Sequence, residues 1–257
     1  MGQQGTWRQA FGSIALSALV LLSFRWLVFE PYVIPSGSML PTLKVLDFIY
    51  VNKFAYGVRL PFTSKWILDR DLPKRCDIVV FRSQQEDGIY LVKRVIGLPG
   101  ERVELLQSGQ IRIDDKLLVT KAHQSIGRDD GKAVRRELCG FEPEAREHLI
   151  QIYESDFAEK NDQDVAQKNE TADAEVDPIV YAIEVPPDQV VVFGDNRHES
   201  ADSRVWGPVP RKDLMGRAGG IWLSCESSLP GLSRVCDPSK LRLERMFQNF
   251  DAVDARL

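Results

Sequence analysis

The stretch VIPSGSMLPTL, Val33 to Leu43, follows a long apolar run and holds two serines around one glycine, Ser36-Gly37-Ser38. Pro, Ser and Gly are turn residues, so a plain turn accounts for the composition. The same residues also offer a nucleophile. A serine hydroxyl attacks poorly until a base takes its proton. Histidine is the usual base, but His123, His148 and His198 are scattered and none suggests a Ser-His-Asp triad. A lysine can replace it where burial disfavours the ammonium and lowers its pKa. Lys93, in YLVKRVIGLPG, follows Leu91 and Val92 on an expected strand. Taken alone, a strand lysine reads as an outward, solvated residue.

The elements that must position these groups are mostly strands. Phe48–Val51, Asp77–Phe81, Tyr90–Val92, Arg102–Leu105 and Ile111–Ile113 are short runs rich in β-branched and aromatic residues. Gly57, Leu98-Pro99-Gly100 and Ser108-Gly109 punctuate them. A second group spans Ile179–Val185 and Gln189–Phe193, joined at Pro186-Pro187-Asp188. A short helix is expected around Glu144–Tyr153, and a loosely helical end with no assigned role from Leu241 to Leu257.

Phe11 to Phe29 is an apolar run interrupted by one charge, Arg25, and long enough for a hydrocarbon core of about 30 Å. Arg25 lies near one end, where it can snorkel beside Trp26. No small-x-small cleavage site follows, so the segment reads as an uncleaved single membrane anchor. Arg8 marks the N-terminal side as cytoplasmic.

A net charge of −4 gives no sign of a nucleic-acid partner. Between Glu142 and Asp177 twelve acidic residues face three basic ones, which makes that stretch a mobile surface insertion and leaves the remainder mildly basic. No Cys or His pair has metal-ligand spacing. Cys225 and Cys236 flank a turn and could form a disulfide outside the cytoplasm, Cys76 reads as a plain buried thiol, and Cys139 has no evident partner.

The joint pattern resembles the type I signal peptidases, membrane-anchored serine endopeptidases with a Ser-Lys dyad. PSGSMLPTL (35–43), DFIYVNKFAYG (47–57), DIVVF (77–81), LVKRVIGLPG (91–100) and GDNRHESADSRVWGPVP (194–210) occur in the family's order. The resemblance makes Ser38 the nucleophile and Lys93 its general base, with the Ser36 hydroxyl and the Ser38 N–H as oxyanion donors. It gives Ser200 the task of orienting the amine, with Gly194 leaving room beside it. Asp195, Arg94, Asp202 and Arg204 brace the site by ion pairing. Tyr32, Ile34, Pro35, Met39, Leu43, Ile49, Leu91 and Val92 line shallow pockets suited to alanine side chains. Two departures, His198-Glu199 for Asp-Asn and Arg75-Cys76-Asp77 for Arg-Gly-Asp, fall beside the catalytic groups.

The implied fold is mostly β, a core of coiled antiparallel sheets behind a single N-terminal transmembrane helix. Residues 1–30 form the tip and anchor, 31–100 and 186–225 the catalytic core, 101–185 an inserted second region holding the acidic stretch 142–177, and 226–257 a tail. The implied partners are preproteins with signal peptides and a lipid bilayer, with no cofactor and no metal. The implied location is the inner membrane, single-pass, with the catalytic domain on the outer face. A catalytically inactive membrane-tethered scaffold is the alternative, and a self-cleaving repressor of the SOS response is a related Ser-Lys rival that lacks such an anchor.

Overall fold

The computed structural model describes residues 7–59, 66–70, 72–118, 120–122, 132–141, 146–153 and 177–250. Helix α1 (Trp7–Val28) leads directly into β1 (Phe29–Val33). The strands that follow are β2 (Asp47–Asn52), β3 (Gly57–Arg59), β4 (Trp66–Asp69), β5 (Ile78–Arg82), β6 (Tyr90–Gly97), β7 (Arg102–Leu106), β8 (Ile111–Ile113) and β9 (Lys116–Leu117). Then come β10 (Thr120–Ala122), β11 (Lys132–Leu138), β12 (Glu147–Tyr153), β13 (Ile179–Glu184) and β14 (Gln189–Phe193). A single-turn helix α2 (Ser203–Trp206) precedes β15 (Val209–Pro210), β16 (Leu214–Ser224) and β17 (Gln248–Asn249).

An eight-stranded sheet in the order β1-β2-β16-β5-β6-β14-β15, with β17 added to β16, carries the molecule. The pairing is antiparallel throughout, so one face can pack while the other meets loops. Central β5 is buried along Ile78–Phe81, which explains its unbroken apolar run where an edge strand would alternate. Pro31 sits in edge strand β1, where its missing N–H interrupts no ladder.

Register divides the core in two. Ile78, Val80 and Val92 pack with Ile34, Met39, Leu43, Ile49 and Val51 on one face. Val79, Phe81, Leu91 and Val95 pack with Val192, Leu214 and Trp206 on the other. A third cluster forms under a four-stranded sheet, β13-β7-β8-β9, between Ile111, Ile113, Leu118 and Phe193. Asp114 and Asp115, at φ 46° and 66°, make the tight β8–β9 turn, which demands positive φ at both central residues.

Four expectations change. Among the described residues no helix is long and apolar enough to cross a membrane, so the span expected over Phe11–Phe29 is corrected. The helix there, α1, runs from Trp7 to Val28. Trp7, Phe11, Ile14, Leu16 and Leu19 are nonetheless exposed along it.

The helix expected around Glu144–Tyr153 is strand β12, because pairing with β11 buries Leu149, Ile150 and Ile152. The rest of the acidic stretch, at 142–145 and 154–176, lies outside the described residues, as does His123. Of the tail, residues 241–250 hold a 3-10 turn (Leu243–Arg245) and β17, residues 251–257 lie outside the described residues, and Phe250 joins the first core cluster. Gly220 permits that docking, since a Cβ there would meet the Gln248 carbonyl.

Cys225 and Cys236 are bonded across their turn. Cys76, expected as a free thiol, is bonded to Cys139, which ties the start of β5 to the end of β11.

Candidate active site

The loop from Ile34 to Leu46 joins β1 to β2 and displays Ser38. Met39 and Leu43 are buried beneath it, and the Leu43 N–H donates to the Met39 carbonyl at 2.8 Å. The backbone is thereby pinned while Pro35 and Ser36 stay exposed on its outer side.

Lys93 approaches from β6. Its Nζ stands 2.7 Å from Ser38 Oγ, and only 3% of the residue meets solvent. Burial pulls the amine from 10.5 down to about 8, against the opposing attraction of the Asp202 and Asp195 carboxylates and with a smaller push from Arg204. A lysine in this state is neutral often enough near neutrality to accept the serine proton. The solvated outward position that a strand lysine suggests in isolation is not the one observed.

Gly194 lies against the dyad. A Cβ on it would strike Ser200 Oγ and come within 2.5 Å of the Ser38 carbonyl oxygen. The glycine thus gives space to Ser200 and to the backbone of Ser38. Ser200 Oγ is buried and, among the described residues, has no hydrogen-bond partner. A bond from it to the Lys93 amine is not formed.

Two ion pairs frame this centre. Arg94 grips Asp195 through Nε (2.8 Å) and Nη2 (2.7 Å), both residues buried. Thr42, in the serine's loop, donates to the same carboxylate at 2.6 Å. Asp202 caps α2, binds Arg204 Nε at 2.7 Å, and accepts the Gly194 N–H at 2.9 Å. Arg204 in turn donates to the Arg197 carbonyl at 2.6 Å.

Several supporting residues carry no local signal in the sequence. The Asn196 N–H donates to the Ser38 carbonyl at 3.1 Å, and its Nδ2 donates to the Gly37 carbonyl at 3.1 Å. β12 joins the same segment, Gln151 N–H to Asp195 carbonyl at 2.8 Å and Arg197 N–H to Gln151 carbonyl at 2.9 Å. Beneath lies a buried pair, Arg197–Glu137 (Nη1 to Oε2, 2.9 Å). His148 is wedged beside it, 3.5 Å from Glu137 and 3.8 Å from Asp195, and held neutral by burial and by Arg94 and Arg197. From the tail, Arg245 binds Asp47 Oδ2 at 2.6 Å and the Thr42 carbonyl at 2.9 Å. Asp47 also accepts from the Lys44 N–H and the Ser224 hydroxyl. The tail therefore holds the far end of the serine's loop.

The residues expected to line shallow pockets divide. Ile34, Met39, Leu43 and Ile49 are interior, at 3%, 1%, 0% and 0% exposed. Tyr32 and Val92 pack half-buried on that cluster, Pro35 is exposed, and Leu91 packs on the opposite face.

This arrangement can do nucleophilic acyl chemistry: a hydroxyl, a desolvated amine within reach, and fixed backbone around both. A family profile described as signal peptidase, peptidase S26, matches residues 7–223. A signal peptidase I of Pseudomonas aeruginosa is 34% identical over 241 residues, covering 88% of this chain and 76% of that one. A signal peptidase I of Rickettsia typhi is 29% identical, covering 97% of this chain and 96% of the other. A crystal structure of a signal peptidase I from Enterococcus faecalis V583 is similar at 22% identity and a TM-score of 0.31, over 57% of this chain and 97% of that one.

Proposed function

Because the chain belongs to the signal peptidase family, peptidase S26, we propose that it is a serine endopeptidase removing signal peptides from secreted preproteins after a small-x-small site. The observation that carries the mechanism is the 2.7 Å approach of a buried, pKa-lowered Lys93 amine to Ser38 Oγ.

Ser38 Oγ attacks the scissile carbonyl carbon as its proton passes to neutral Lys93 Nζ. The oxyanion that forms faces the Ser38 N–H and the Ser36 hydroxyl. Collapse breaks the C–N bond, and the Lys93 ammonium hands its proton to the departing amine. Water, deprotonated by the same lysine, then releases the acyl group from Ser38. Ser200, whose buried hydroxyl lacks a partner beside the dyad, is suited to orient the amine as substrate arrives. Arg94, Asp195, Asp202 and Arg204 hold the walls.

Attachment to a lipid surface runs through α1, whose exposed apolar side chains support it. Two disulfides favour an oxidising compartment for the catalytic body. Processing of a model preprotein in detergent by wild type and Ser38→Ala tests the reading. Cleavage is expected from wild type alone; a folded wild type that cleaves nothing would favour the inactive scaffold instead.

A further inference from the structure

A cavity of about 260 Å³, bordered on β6 by Leu91, is not used by the mechanism above. Phe81, Ile89, Leu91, Ala201 and Trp206 supply its apolar wall, and Glu86 stands on its rim in the turn between β5 and β6. Phe81 and Trp206 pack at 5.6 Å between ring centroids, which makes one side of the cavity rigid.

Its place relative to the dyad follows from strand alternation. In the β5–β6 register Val79 faces Lys93 and Phe81 faces Leu91, so the base and the cavity share one face of β6. Val92 points the other way, into the cluster of Ile34 and Met39 that also holds Tyr32. Ala201 follows Ser200, which packs on Gly194 next to the Ser38 carbonyl. The cavity therefore lies on the base's face of β6, with Ala201 in its wall next in sequence to Ser200.

Lys93 must return its proton to the leaving nitrogen, so the polypeptide attached to that nitrogen departs across the base's face. An apolar cavity of about 150 Å³ accommodates a benzene ring, so this one has room for a leucine or phenylalanine side chain. We propose that it is a subsite for an apolar side chain within the first two residues after the scissile bond. This rests on the signal-peptidase reading and adds a preference on the mature side of the cut.

The test measures kcat/KM for model preproteins carrying Leu or Gly at each of those two positions. Leu at one of them is expected to exceed Gly by about tenfold in wild type, the lower end of what a hydrophobic pocket discriminates. Ala201→Leu, at an exposed position, fills the cavity and brings the Leu/Gly ratio towards one. Ile89→Asp, also at an exposed position, shifts the preference towards Lys. A wild-type ratio near one at both positions overturns the subsite while cleavage itself upholds the peptidase reading. So does a ratio that survives both variants, or an Ala201→Leu effect confined to residues before the cut. If wild type cleaves no preprotein at all, the peptidase reading fails and the subsite falls with it.

Discussion

Lys93 reaches Ser38 from β6, 55 residues along the chain, and meets it with its amine shut away from solvent. Desolvation is the largest influence on that amine and the nearby carboxylates only partly offset it. Chemistry here depends on excluding water from one nitrogen.

Activity should therefore climb with pH. With the amine at about 8, kcat/KM is expected to rise about tenfold per pH unit below that value and to level above it. Lys93→Ala and Lys93→Arg should be inactive at every pH, the latter because guanidinium does not deprotonate in this range. A flat profile between pH 5 and 7 would refute a lysine base.

The same burial strains stability in a defined window. Below pH 8 the lysine is charged in both folded and unfolded chains, and the full penalty of burying it is present. Between about 8 and 10.5 the folded chain loses its proton first, so stability rises with pH until the penalty is gone. Lys93→Met should then be inactive yet more stable at pH 7 by about 3 kcal/mol, a gain that shrinks towards pH 10.5. Denaturant unfolding at the two pH values checks the sign.

His148 sets an acid limit. Burial and two guanidinium groups hold its pKa well below 6.5, so the unfolded chain takes up a proton that the folded one refuses. Stability should fall as pH drops below about 6.5, and His148→Gln should flatten that slope. Parallel curves of thermal midpoint against pH for the two proteins would exclude His148 as the cause.

Arg245 should matter to catalysis from a distance. Arg245→Ala leaves Asp47 buried without its principal cation, a loss of roughly 3 kcal/mol in stability. Because Arg245 also holds the Thr42 carbonyl, kcat should drop more than KM rises. Arg245→Lys should recover stability in part and kcat less, since Nη2 reaches both acceptors from a longer side chain than lysine's while Nε adds a contact to Asp47. Equal recovery of both would show a purely structural role.

How much of this was legible in the chain depends on range. Ser38 and Lys93 stand in long contiguous motifs, and Ile78–Phe81 and Val190–Phe193 carry strand composition in every residue, so both could be read locally. β12 could not: its acidic neighbours suggested a helix, whereas a partner strand decides its state. The Cys76–Cys139 bond and the Arg245–Asp47 pair join residues 63 and 198 positions apart and leave no periodic trace. Burial of Ile34, Met39, Leu43 and Ile49 is likewise a property of what packs on them. An apolar residue looks the same in a pocket wall and in an interior.

The tail contact has a consequence in time. Some 198 residues separate Asp47 from the arginine that steadies it. A ribosome adding about 5–20 residues per second needs on the order of 10–40 s to cover that distance. Throughout that interval the nascent enzyme already carries its serine and soon its lysine, but the loop between them is not yet fastened. Competence to cut thus lags behind synthesis of the cutting groups.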